Sequence, residues 1–171
     1  MDLKQYIRDV PDFPKPGIVF KDITPLLLTP KVFSHIVQTF VDRYKNSRLD
    51  KIVGIESRGF LFGAVLAERL SVGFALARKK GKLPYKTREV TYELEYGTDT
   101  IEMHVDALNP GDRVLVIDDL LATGGTALAA AQLVEKFGAT VVGLSFVVQL
   151  GALGGAKRLK DYEIFSQVVY N

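Results

Sequence analysis

No cysteine occurs among the 171 residues. That excludes disulfides, zinc–thiolate sites and thiol nucleophiles together. No apolar run approaches the ~18–20 residues that a membrane-spanning helix requires. Met1 to Gln5 show no basic start leading into an apolar stretch, so no signal peptide is expected, and a cytoplasmic location is the default expectation. Internal repeats and linker-like stretches are missing too, and the phosphate-loop string G-x-x-x-x-G-K-S/T does not occur. What is there is an ordinary globular composition, with 47% hydrophobic and 25% charged residues. It suffices for one substantial core, and the length is too short for two full domains and a linker. A single domain over residues 1–171 is expected.

The net charge of +2 hides an uneven distribution. Residues 78–88 hold six basic side chains and no acid; outside them, 16 basic residues face 20 acidic ones. A nucleic-acid binder more often spreads its cations along a face or a helix. A basic segment that also contains Gly81 and Pro84 reads as a mobile loop, either one that meets a small polyanion or one that is merely solvated.

Residues 11–17 contain three prolines and are expected to be irregular. From Pro30 to Asn46 the apolar positions Phe33, Ile36, Val37, Phe40, Val41 and Tyr44 follow helical spacing, with Thr29 as a cap. Strands are expected at Lys51–Glu56, Val72–Ala77, Val114–Ile117, Val141–Val148 and near 163–169, and helices at 60–70, after 126, and near 154–160. Residues 89–96 and 101–105 read as a hairpin. Apolar strands alternating with helices imply an α/β fold: a mostly parallel twisted sheet flanked by helices. Ligands in such sheets bind at the carboxyl ends of the strands, here the loops after residues 56, 77 and 117.

The strongest local signal is the string from Val114 to Thr126. A buried strand delivers Asp118 and Asp119, and Ala122, Thr123, Gly124, Gly125 and Thr126 follow before a helix. Two glycines let backbone N–H groups approach an anion, two threonines add hydroxyl donors, and the helix start adds partial positive charge. The carboxylates repel a phosphate, so they suit neighbouring hydroxyls or a bound Mg²⁺. A magnesium-binding strand of a nucleotide hydrolase, or a phosphoacceptor pair, is a weaker reading. The first lacks its phosphate loop, and the second leaves the threonines and glycines unexplained.

This 13-residue string resembles the phosphoribosyl-pyrophosphate signature of the type I phosphoribosyltransferases. The strings Phe13–Pro25, Val53–Phe60, Arg78–Pro84 and Leu94–Gly97 extend the resemblance, in family order, over almost the full length and toward members that use adenine. The resemblance implies the family fold, with a flexible β-loop and a small hood from the N-terminal segment. It implies transfer of the 5-phosphoribosyl group from phosphoribosyl pyrophosphate to adenine, giving AMP and pyrophosphate. It also implies a homodimer, and Mg²⁺ held mainly by the substrate rather than by a protein cage.

Residue by residue, the resemblance assigns Ala122 to Thr126 to the 5′-phosphate, and Asp118 and Asp119 to the ribose hydroxyls. Ser57, Arg58 and Gly59, with Arg78, Lys79 and Lys82, match positions that contact the pyrophosphate. Glu95 matches a loop glutamate held near the purine, where a carboxylate can exchange protons with ring nitrogens. Val19, Phe20 and Lys21 match a base-binding segment, Phe20 by stacking and its neighbours through backbone groups. Leu153 matches a position on the far side of the base, although Gln149 stands where some members carry an acid. Two rival readings remain: transfer to a 6-oxopurine, and a non-catalytic regulator that senses the same donor.

Overall fold

A computed structural model describes residues 1–94 and 97–171. The chain forms two compact units, Met1–Phe40 and Val41–Asn171. In the first, a 3₁₀ turn at Leu3–Tyr6 leads into strands β1 (Arg8–Pro11) and β2 (Val19–Asp22), which pair antiparallel. The register sets Arg8 opposite Asp22 and Asp9 opposite Lys21, and both pairs are ion pairs, at 3.5 and 2.6 Å. Opposite charges directly across a ladder favour that register. The proline-rich segment is therefore the loop of a hairpin rather than a free irregular stretch. Its ends are joined by the Phe13 N–H donating to the Ile18 carbonyl at 3.2 Å. Helix α1 (Thr24–Leu27) and helix α2 (Pro30–Tyr44) follow. Val32, Ile36, Val37, Phe40 and Tyr44 are the fully buried stripe of α2, whereas Phe33 is only half-buried.

The second unit is built on seven strands: β3 (Lys51–Ile55), β4 (Gly73–Lys79), β5 (Thr87–Glu93), β6 (Thr98–His104), β7 (Arg113–Leu121), β8 (Thr140–Leu150) and β9 (Ile164–Tyr170). Their order is β5-β6-β4-β3-β7-β8-β9. The five from β4 to β9 run parallel, and the β5–β6 hairpin joins the β4 edge antiparallel. Helix α3 (Gly59–Leu70) links β3 to β4, helix α4 (Gly125–Lys136) links β7 to β8, and the short helix α5 (Gly155–Arg158) precedes β9.

Strand alternation explains the layering. Val53, Ile55, Val114, Val116, Leu144 and Phe146 join the alanines, Leu133 and Val134 of α4 in one buried cluster. Ile52, Leu115 and Ile117, one residue out of phase, face the other way, and Gly59 at the start of α3 abuts the Ile117 carbonyl. Two helices on opposite faces bury both sides of the central strands, which is why those strands read as continuous apolar runs. Each fully buried large aliphatic side chain contributes about 1.5–3 kcal/mol.

Two expectations change. The strand expected at Val114–Ile117 runs on to Leu121, so Asp118 and Asp119 lie in the ladder with β8 and not in a loop beyond it. The basic segment 78–88 is not one loop: Arg78 and Lys79 end β4, and Thr87 and Arg88 begin β5. The turn between them is held by buried Glu102, which accepts from the Gly81 N–H at 3.0 Å and the Thr87 hydroxyl at 3.1 Å.

Candidate active site

The carboxyl ends of β3, β4 and β7 lie side by side, as their register requires. At the end of β7 the chain turns through Ala122 and Thr123 to Gly124, whose φ of +80° is the left-handed region that favours glycine. A Cβ on Gly124 would stand 2.9 Å from the Gly155 carbonyl oxygen, and one on Gly155 only 2.3 Å from that of Ala122. The turn is thus packed backbone to backbone against the start of α5, and larger residues would push it open. Helix α4 begins at Gly125 without a side-chain cap. Its first-turn N–H groups are left to bind an anion. Asp118, Leu120 to Ala127 and their backbone enclose a cup of about 100 Å³ here.

A second cavity, of about 270 Å³, is lined by Ile55, Glu56, Lys79, Tyr92, Leu94, Asp99, Ile101, Asp118 and Thr126. Asp118 and Thr126 belong to both, so the two hollows are neighbours across these side chains. A ligand with a compact anionic end and a longer body fits that shape.

The adjacent aspartates have different surroundings, because consecutive strand residues face opposite ways. Asp118 faces the cavities. Burial, and next the charge of Asp119, push its carboxyl well above the ordinary value, although the Asp119 N–H donates to its Oδ1 at 2.8 Å. Asp119 is buried, and its Oδ2 lies 2.7 Å from Arg58 Nε. The angle of that contact does not make a hydrogen bond, so Oδ2 is ion-paired without one.

The loop after β3 carries Glu56, Ser57 and Arg58, with a cis peptide between Glu56 and Ser57. Glu56 accepts from the Lys79 backbone N–H at 2.5 Å and from Arg78 Nε and Nη2 at 3.1 and 2.9 Å. Arg78 also donates to the Lys82 carbonyl at 3.3 Å. Lys79 Nζ stands 3.1 Å from Asp99 Oδ2. The hydrogen bond to Asp99, then its charge, raise the Lys79 pKa. Burial opposes ionisation of Asp99, but Lys79 and the Thr100 N–H hold that carboxyl below its ordinary value.

Of the residues singled out in the sequence, Asp118, Ala122 to Thr126 and Lys79 meet around the paired cavities. Ser57, Arg58, Gly59, Asp119, Arg78, Lys82 and Leu153 line neither. Gly59 is buried at the head of α3, and Leu153 is half exposed in a 3₁₀ turn after β8. In the first unit, Val19 is exposed, Lys21 is paired with Asp9, and the Phe20 ring meets Phe13 edge-on at 5.2 Å. Glu95 lies outside the described residues; its neighbours Leu94 and Gly97 are joined N–H to carbonyl at 2.9 Å. The sequence reading missed Tyr92, Asp99 and Glu56. Only the position of Glu56, beside Ser57 at a strand end, gave a signal.

A family model described as the phosphoribosyl transferase domain matches residues 26–171. An adenine phosphoribosyltransferase of Acidothermus cellulolyticus is 60% identical over 154 residues, 90% of this chain and 87% of that one. The chain belongs to the adenine phosphoribosyltransferase family. Two crystal structures of such phosphoribosyltransferases share the fold. The one from Thermoanaerobacter pseudethanolicus has a TM-score of 0.95 at 49% identity, covering 99% of this chain and 98% of that one. The one from Saccharomyces cerevisiae, complexed with an imino-altritol bisphosphate and adenine, has a TM-score of 0.92 at 40% identity, covering 97% and 96%. The seven-stranded, mostly parallel sheet is therefore a phosphoribosyltransferase sheet, and the paired cavities sit at its carboxyl edge, where α/β folds bind ligands.

Proposed function

We propose that this chain transfers the 5-phosphoribosyl group of phosphoribosyl pyrophosphate to adenine, releasing pyrophosphate and AMP. One observation carries the reading: a small cup with the free N–H groups of a helix start opens beside a larger cavity holding a carboxyl group and a lysine. A 5′-phosphate suits the cup, with Ala122 to Thr126 around it. The ribose hydroxyls then meet Asp118. Lys79 faces the larger cavity, and Arg78, Lys82 and the Ser57–Arg58–Gly59 loop are the cations and N–H donors assigned to the pyrophosphate.

A bond forms from the purine ring nitrogen to the sugar carbon as the bond to pyrophosphate oxygen breaks. Positive charge develops on the sugar and negative charge on the leaving group. Residues fixed beforehand near each charge lower the barrier. Asp118 holds its proton more tightly than an ordinary carboxyl. Approach of a cationic sugar favours its ionised form, which accepts from the hydroxyls. The proton leaving the adenine ring passes to a base, the role assigned to Glu95. Val19, Phe20, Lys21 and Leu153 are the adenine contacts of this reading.

Among the described residues no three His, Asp or Glu side chains converge as metal ligands. On the strength of the resemblance, Mg²⁺ is assigned mainly to the donor's own oxygens and treated as part of that substrate. A homodimer, on the strength of the resemblance, and a cytoplasmic location and a single domain over residues 1–171, on the strength of composition and length, complete the reading. Among the described residues no helix is long and apolar enough to cross a membrane.

The test is AMP formation in the presence of Mg²⁺, run against hypoxanthine, guanine and xanthine. Adenine is expected to be used far in preference. Faster turnover of a 6-oxopurine would reassign the base, and no pyrophosphate release with any base would favour a donor-sensing regulator.

A further inference from the structure

The Tyr92 hydroxyl is 3.0 Å from Thr126 Oγ1, and either atom can donate. Thr126 lies in the first turn of α4 and lines both cavities. Tyr92 sits on β5 with its ring against the same turn, since a Cβ on Gly125 would come within 3.6 Å of it. Directly across the hairpin ladder from Tyr92 is Asp99, which pairs with Lys79 at 3.1 Å. Two polar pairs, Lys79–Asp99 and Tyr92–Thr126, thus meet at one rung of the hairpin, one holding a cation assigned to the pyrophosphate and the other a hydroxyl assigned to the 5′-phosphate.

A tyrosine hydroxyl has one proton to give, and so has a threonine hydroxyl. A phosphate oxygen only accepts, so Thr126 can serve it only by pointing its proton into the cup. Its lone pair must then take the Tyr92 proton. Across the ladder, the negative charge of Asp99 competes for that proton. The same carboxylate pairs with Lys79 and so competes with a pyrophosphate for its charge.

Resting on the function proposed above, we infer that Tyr92 and Asp99 are opposed positioning residues for the donor. Tyr92 aims the Thr126 hydroxyl at the 5′-phosphate, and Asp99 restrains both Tyr92 and Lys79 until the donor arrives.

The test is the equilibrium affinity for phosphoribosyl pyrophosphate, measured by calorimetry beside kcat. Tyr92→Phe keeps the ring and removes only the hydroxyl; donor affinity should fall about five- to tenfold. Asp99→Ala should act in the other direction and tighten the donor about threefold, an effect that loss of folding cannot mimic. In a Thr126→Val background, Tyr92→Phe should cost nothing further, because it acts through that hydroxyl. Unchanged affinity in Tyr92→Phe, weaker binding in Asp99→Ala, or additive losses in the double variant would each overturn the inference. The wild-type chain serves as the control: if it forms no AMP, the proposed function fails instead.

Discussion

Arg58 Nε stands 2.7 Å from Asp119 Oδ2, although one side chain comes from the loop after β3 and the other from strand β7, and they differ sharply in exposure, 40% against 6%. The contact ties the turn after β3 to the end of β7. It also gives the second aspartate a different task from the first. Asp118 faces the cavities and is held toward its neutral form, while Asp119 is the buried counter-ion of the loop assigned to the pyrophosphate. Two adjacent carboxyl groups are tolerated here because one has a cation beside it and ionisation of the other is disfavoured.

Removing the guanidinium strands a buried carboxylate. Arg58→Met should therefore lower stability by about 1–3 kcal/mol; the exposure of Arg58 keeps the cost below that of a fully buried pair. Asp119→Asn, which removes the charge in need of a partner, should cost less. Urea unfolding of both variants at neutral pH compares them. Arg58→Met as stable as the wild-type chain would mean that the ion pair contributes nothing to the fold.

Much of this was legible in the sequence, for a physical reason. Val114–Ile117 reads as a buried strand because helices cover both its faces, and the string to Thr126 has few other uses than an anion seat. The end of that strand was not legible. Asp118 and Asp119 look like loop residues, and only pairing with β8 keeps them extended. Arg78 and Lys79 were misplaced likewise. Their cations look unpaired along the chain, yet Glu56 and Asp99, some 20 residues away on either side, satisfy them once β4 is built. The Tyr92–Thr126 bond depends on packing the hairpin against α4, which no local pattern encodes.

The cup's shape rests on Gly155 as much as on its own residues. A Cβ there would fall 2.3 Å from the Ala122 carbonyl oxygen, a backbone atom that cannot swing aside. Gly155→Ala is expected to displace the turn, costing about 1–3 kcal/mol of stability as overpacking. It should weaken donor binding more than adenine binding, because the 5′-phosphate seat is what moves. Thermal unfolding and separate titrations with donor and with adenine check this. Equal weakening of both ligands would point to general loosening.

The raised Asp118 carboxyl makes a prediction about pH whose sign is fixed. Folded Asp118 keeps its proton to higher pH than the unfolded chain does, mainly because the fold strips water from this half-buried group. Between the ordinary carboxyl value of 3.8 and its raised value the folded state binds more protons, so stability from this group falls as pH rises through that window. Above the window the full penalty of ionising this half-buried carboxyl group is present; below it there is none. Asp118→Asn abolishes the penalty. The variant should gain in melting temperature over the wild-type chain at pH 8, and the gain should vanish toward pH 4. Turnover should move the other way, because an amide cannot supply a negative charge beside the cationic sugar; kcat should fall by about tenfold or more. A variant that melts with the wild-type chain at every pH would show that Asp118 is not strained by its burial. One that turns over undiminished would remove it from the chemistry.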